Sequence, residues 1–289
     1  MKSSTLRFFL GMIVLGFTAT AAWAQTQAGV IKTARISGTV TIIAADGSQH
    51  AATEGATIAE TDTVVTGANS GVVLVFMNGS SVKLAPNSRL LVEEFKMDPL
   101  DTNITVSKLT KEPSVSQTKL NLAYGDMVGD VKKLNKSSTY GIKTPVGAAG
   151  IRGTTFRIVF TLNANGTAAS FSLQTSEGLV VFTGSNGAST QVGAGTQVTV
   201  TADVNTATGA VTSSSVTSGN ISAADNAAIQ AAVDNVIKQA QEQSVFTPAE
   251  QTSGSGNAAG ADAPAQTTTE VPAGVLVQPV SPTVVSPSS

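Results

Sequence analysis

The chain carries little equipment for covalent chemistry, and what it has is scattered. His50 is the sole histidine, and there is no cysteine. A Ser–His–Asp triad would have to use His50, and no G-x-S-x-G elbow surrounds any serine. His50 stands beside Gln49 in what reads as a polar loop. A zinc site without a second histidine or a thiolate would need carboxylates alone, an unusual donor set. No glycine loop followed by Lys-Ser or Lys-Thr is present to cradle phosphate. Carboxylates come in groups: Glu54, Glu60 and Asp62, then Glu93 and Glu94, then Asp98 and Asp101. Neighbours on a strand point to opposite faces, so Glu93 and Glu94 converge only across a bulge. Asp98 and Asp101 are weak support for calcium. A glycosidase needs two placed carboxylates, and this chain has one Trp and two Tyr to stack a sugar on. The expectation is no enzyme, no catalytic residues, no metal and no cofactor.

Binding chemistry is better represented. Between Lys108 and Arg157 nine basic residues face three acids, Glu112, Asp126 and Asp130. Lys132, Lys133 and Lys136 form the densest group, and Arg152 and Arg157 follow. Such a stretch attracts an acidic surface or polymer, or is a solvated strand face. Nucleic acid is not expected: acids outnumber bases, 19 to 17, over the whole chain, and Tyr140 and Phe156 are the only aromatics within this stretch besides Tyr124.

The elements that position these groups centre on residues 144–156, TPVGAAGIRGTTF. Pro145 cannot donate to a ladder and belongs at a bend. Gly147, Gly150 and Gly153 permit unusual backbone angles or close approach. Arg152 has five donors to satisfy. The stretch is either a structural corner, with Arg152 bonded to carbonyls or a carboxylate, or a recognition loop that presents Arg152 to an anionic partner.

The same residues carry a resemblance. The run TPVGAAGIRGTTFRIVF is similar to the T-P…G-x-R-G-T-x-F signature of the FecR-domain family, with Pro145, Gly147, Gly150, Gly153, Thr154 and Phe156 as the motif. Upstream, residues 35–43, Thr63–Thr66, residues 70–76 and residues 78–84 resemble that family's opening strands. The resemblance covers about residues 34–203. It implies an extracytoplasmic, bacterial, all-β binding or signalling module that is not an enzyme. Members that regulate sigma factors place a cytoplasmic domain and a membrane span before this part. Here a cleavable leader is expected in their place, so direct cytoplasmic anti-sigma activity is not.

That leader is residues 1–24. Lys2 and Arg7 supply its positive end, residues 8–17 its apolar core, and Ala22-Trp23-Ala24 the small residues of a cleavage site. The apolar core is shorter than the roughly 20 residues of a membrane span, and the protein is expected to span no membrane once the leader is removed. A flexible lead-in follows at 25–33, then a β domain at 34–218, a helix within 219–246 and a disordered tail at 247–289 that holds six of the ten prolines.

Within the β domain, residues 35–43 alternate apolar and hydroxylated side chains as one half-buried strand. Residues 71–77 are apolar on both faces and read as a central strand. Residues 126–136 fit either a strand with a polar loop or a short helix. A weak repeat links Gly38 and Gly55 with Gly178 and Gly195, each pair enclosing an Asx-Gly turn. Together these predict a jelly-roll-like fold or a β-sandwich. Ser222 and Asp225 cap a helix whose stripe is Ile229, Val233, Val236, Ile237 and Ala240. The favoured function is recognition of an envelope protein or ligand in the periplasm or at the cell surface. The alternatives are a surface or matrix protein that holds acidic polymer and, third, a carbohydrate-active jelly roll.

Overall fold

The computed structural model describes residues 26–242 and 245–253. The expected leader and the tail beyond 253 lie outside the described residues. In chain order the strands are β1 Gln27–Ala28, β2 Ile31–Ser37, β3 Val40–Ile43, β4 Gln49–Ala51, β5 Thr57–Ile58, β6 Thr63–Thr66 and β7 Gly71–Phe76. There follow β8 Ser81–Leu84, β9 Arg89–Met97, β10 Ile104–Thr105, β11 Ser116–Asp130, β12 Thr139–Thr144 and β13 Gly147–Ile151. Then come β14 Thr155–Leu162, β15 Ala168–Glu177, β16 Leu179–Gly184, β17 Ser189–Gly193, β18 Thr196–Val204 and β19 Val211–Asn220. Helix α1 spans Ala223–Glu242, β20 is Val245–Phe246 and α2 is Pro248–Ser253.

Two sheets face each other across one core. The first runs β4-β3-β6-β9-β11-β12-β13-β16-β17. The second runs β5-β2-β7-β8-β11-β14-β15-β18-β19. Strand β11 belongs to both. Its residues 116–124 pair in the first sheet and residues 125–130 in the second, which makes a sandwich in which both sheets share a central strand. The change of sheet falls at Gly125, with φ 116°. A Cβ there would lie 2.5 Å from the Ser88 backbone, so a glycine is required by both angle and space. Inward side chains from the two sheets meet edge-on at Phe76 and Phe95, 5.2 Å apart, and stacked at Phe171 and Phe182, 4.9 Å apart. The all-β fold with a C-terminal helix is the one expected, in its sandwich form.

The glycine repeat acquires a physical meaning here. Gly38 and Gly178 sit where the chain leaves the second sheet for the first, and Gly55 and Gly195 where it returns; all four have positive φ. Residues 35–43 are accordingly not one strand. Gly38 splits them into β2 and β3, in different sheets. Residues 26–33, the described part of the expected flexible lead-in, are held in place: β1 pairs with β9, and Val30 and Ile31 are buried.

Helix α1 lies on the outside of the second sheet. Ile229, Val233, Val236 and Ala240 are buried, as the sequence stripe requires, with Ile229 and Val233 against Val128. The Ser222 hydroxyl accepts from the Asp225 N–H at 3.0 Å and donates to the Asp225 carboxylate at 2.7 Å. Pro248 does not end all order. It opens α2, where Thr247 and Glu250 form a reciprocal capping box at 2.8 and 3.3 Å. Residues 245–251 fold back as a clasp. Phe246 is fully buried, Glu250 pairs with Lys32 at 2.6 Å, and Gln251 accepts from the Leu100 N–H at 3.1 Å.

Candidate functional site

The loop between β11 and β12, residues 131–138, is the polar-loop alternative for residues 126–136, and it contains Lys132, Lys133 and Lys136. It is tied down along its whole length. Val131 N–H donates to the Thr154 carbonyl at 2.9 Å, and Glu112 N–H donates to the Lys133 carbonyl at 3.1 Å. Lys111 and Lys133 form an isolated parallel bridge. Ser138 N–H donates to the Asn135 carbonyl at 3.1 Å, and the Ser138 hydroxyl accepts from Ser116 N–H at 3.0 Å.

Two charged side chains grip the loop at Asn135. Glu112 is buried, 1% exposed, with one carboxylate oxygen accepting from Asn135 N–H and the other from the Ser116 hydroxyl at 2.7 Å. Asn78 donates its amide to the same Ser116 oxygen at 3.1 Å. Arg152 comes from the other direction. Its Nη2 donates to the carbonyls of Asn135 and Lys136 at 3.2 and 3.3 Å, while the side chain stays exposed. A buried carboxylate needs several donors to remain favourable, and the loop backbone and Ser116 supply them.

The R-G-T corner is where the chain crosses from β13 in the first sheet to β14 in the second. Gly153, with φ 73°, would put a Cβ 3.1 Å from Lys133 Cα. Gly147 closes the β12–β13 turn that holds Pro145, and a Cβ there would be 2.5 Å from the Thr183 carbonyl oxygen. Gly150 lies within β13, in register with Gly141 and Val181. Phe156 is fully buried and its ring packs over Gly129. Thr154 is buried with its hydroxyl unpartnered.

The basic stretch divides in two once its partners are known. Arg157 makes a two-point pair with Asp126 at 3.0 and 2.6 Å, and those bonds push the guanidinium pKa up. Lys132 pairs with Asp130 at 2.6 Å, Lys143 with Glu93 at 2.7 Å, and Lys119 with Glu94, whose carboxyl is held below the usual range by that bond. Among the described residues no carboxylate pairs with Lys108, Lys111, Lys133, Lys136 or Arg152. Lys111 and Lys133 are neighbours through their bridge, and Arg152 bonds the Lys136 carbonyl. The structure thus puts Lys133 and Lys136 on the clamped loop, with Lys111 bridged to it and Arg152 bonded to its backbone, and it separates Lys132 and Arg157 as internally paired. Sequence reasoning did not single out Glu112. A lone acid between Lys111 and Pro113 in a basic stretch was the available signal.

Other candidates resolve plainly. His50 is not in a loop: it lies in β4 opposite Ile42, exposed. Glu93 and Glu94 do not point to opposite faces. A register shift in the β9–β11 pairing brings both to the outer surface, where Glu93 meets Lys143 and Asn121 and Glu94 meets Lys119 and Lys96. Among the described residues no group of three His, Asp or Glu side chains converges as metal ligands, and no helix is long and apolar enough to cross a membrane.

Comparison with known proteins bears on this arrangement. The family model described as FecR protein matches residues 62–181. Two crystal structures of a candidate anti-sigma factor from Parabacteroides distasonis ATCC 8503 are similar in part, at 11% and 10% identity with TM-scores of 0.39 and 0.37. Each match covers 56% of this chain and 60% of that one, so the shared part is less than two thirds of the relative. No curated protein matches the sequence significantly. Residues 62–181, which run from β6 into β16 and contain both the clamped loop and the R-G-T corner, are the part of the chain that matches the FecR family model.

Proposed function

We propose that this protein is an extracytoplasmic, non-catalytic FecR-like sensing module that recognises an acidic protein or envelope ligand through the clamped basic loop. The FecR match over residues 62–181 carries the class. The leader-like pattern of residues 1–24 supports export into the periplasm or to the surface. The choice of face rests on charge. Lys111, Lys133, Lys136 and Arg152 are exposed on backbone that is already fixed, so little ordering entropy is lost when a partner binds. Lys132 and Arg157 have spent their charge on Asp130 and Asp126 and serve the scaffold.

The test is capture from native envelope by the chain 25–289, beside a Lys133→Glu/Lys136→Glu variant. One dominant protein that the native chain retains and the variant loses by about tenfold or more supports the reading. Salt-sensitive retention of acidic polymer instead favours a surface or matrix role. Equal capture by both chains removes this face from consideration.

A further inference from the structure

Four strands stand at the outer edges of the two sheets, and three of them are short. β4 has three residues, β5 two and β17 five. Short edges are an ordinary way for a sheet to avoid adding a neighbour. The fourth, β19, has ten residues. It is in register with β18, and among the described residues no other strand is in register with it. Residues 212–220 are exposed at every position, so both faces of the strand are open as well as its outer flank. Its sequence, VTSSSVTSGN, has no charge and no proline, and its one register shift lies at the Val211 end. None of the usual blunting devices acts along the rest of it.

We propose that β19 is a self-association edge. Two copies of the chain pair their β19 strands antiparallel about a two-fold axis at Val216 and so join two second sheets into one. A two-fold contact requires a strand complementary to itself. An uncharged strand meets its own copy without the repulsion that like charges would bring. With the axis at Val216, Ser214 lies opposite the second copy's Ser218, and Thr212 opposite its Asn220, so the whole open edge is used. Val216, 38% exposed, is the only large apolar side chain inside the strand, and the axis sets it against its own copy. The second copy is therefore favoured over a charged peptide, which would find no partner charge on this edge.

The absence of cysteine from the chain makes the test direct. In the chain 25–289, Val216→Cys is expected to form a covalent dimer under mild oxidation, at least tenfold faster than Ala188→Cys at the β16–β17 turn. Sedimentation over a thousandfold concentration range is expected to show the unaltered chain passing from one copy to two. Val216→Lys sets like charges face to face and moves that midpoint at least tenfold higher without altering the thermal unfolding of the monomer. A chain that stays single throughout overturns the proposal, as does equal cross-linking of the two cysteine variants. Association that survives Val216→Lys overturns it in favour of another surface. Association that appears only after residues 254–289 are removed overturns it in favour of the chain's own terminal segment on this edge.

Discussion

The outer face of the second sheet has two parts with different fates. Over β2, β7, β8 and the end of β11 it lies under helix α1. Over β18 and β19 it is bare. The sequence of each strand already encodes which. β7 reads GVVLVF and is buried at all six positions, because Leu74 and Phe76 face the core while Val73 and Val75 lie under the helix side. β18 reads TQVTVTADV and alternates, with Val198, Val200 and Ala202 inward and Thr199 and Thr201 outward. A strand apolar on both faces asks for a second layer, and a strictly alternating one does not. β19 goes further, since neither of its faces asks for cover from its own chain.

The largest break of this comparison is Val236→Asp, which places a charge between α1 and the sheet at a fully buried position. We expect a loss of about 3 kcal/mol or more in urea unfolding. Gly125→Ala comes next, at about 2 kcal/mol or more, because it strains the joint through which the covered part continues into the first sheet. A native urea midpoint in that variant would mean the joint is slack. Arg157→Ala, at the seam between the two parts, is expected to cost about 1 kcal/mol or less, since its pair with Asp126 is 39% exposed on the arginine side. A heavier cost would make the seam a structural keystone. On the bare part, Thr201→Lys should shift stability within about 0.5 kcal/mol, and a shift as large as that of Val236→Asp would erase the distinction.

The clasp offers the subtlest effect. Burial raises the Glu250 pKa, but the hydrogen bond and charge of Lys32 and the Thr247 N–H outweigh it, and the folded value lies below the ordinary one. The stabilisation is complete above the ordinary glutamate range and is lost as pH falls through the lowered folded value. Amide exchange at Val245 and Phe246 should therefore accelerate relative to β7 only in acid. Uniform acceleration of both would deny the clasp any independence.

Much of the fold was legible because local signals and global placement agree. The helix stripe and the two glycine pairs both mark real features. Legibility failed where a tertiary crossing has no local signature. Residues 35–43 keep their alternation while changing sheets at Gly38, so periodicity alone joined two strands. The bulge that turns Glu93 and Glu94 to one side is visible only in the pairing of β9 with β11, where consecutive Lys119 and Leu120 sit opposite Glu94 and Val92 and skip Glu93. The clasp was readable in principle, since Thr247-Pro248-Ala249-Glu250 is a capping box with proline at its first helical position. At the site, the sequence showed the cations but not which would find acids, because Asp126 and Arg157 meet only through the β11–β14 register.

Met97 has one further consequence. Gln27 lies opposite it in the β1–β9 ladder, and the Gln251 side-chain amide donates to its carbonyl at 3.4 Å. The first and last of the described residues therefore lie near the same spot. A tension applied at Thr26 and Ser253 meets the clasp and the short β1–β9 ladder before any longer ladder. By the same geometry, a permuted chain that bridges Thr26 to Ser253 with a short linker and opens at Gly187 retains every strand pairing in its original order in space.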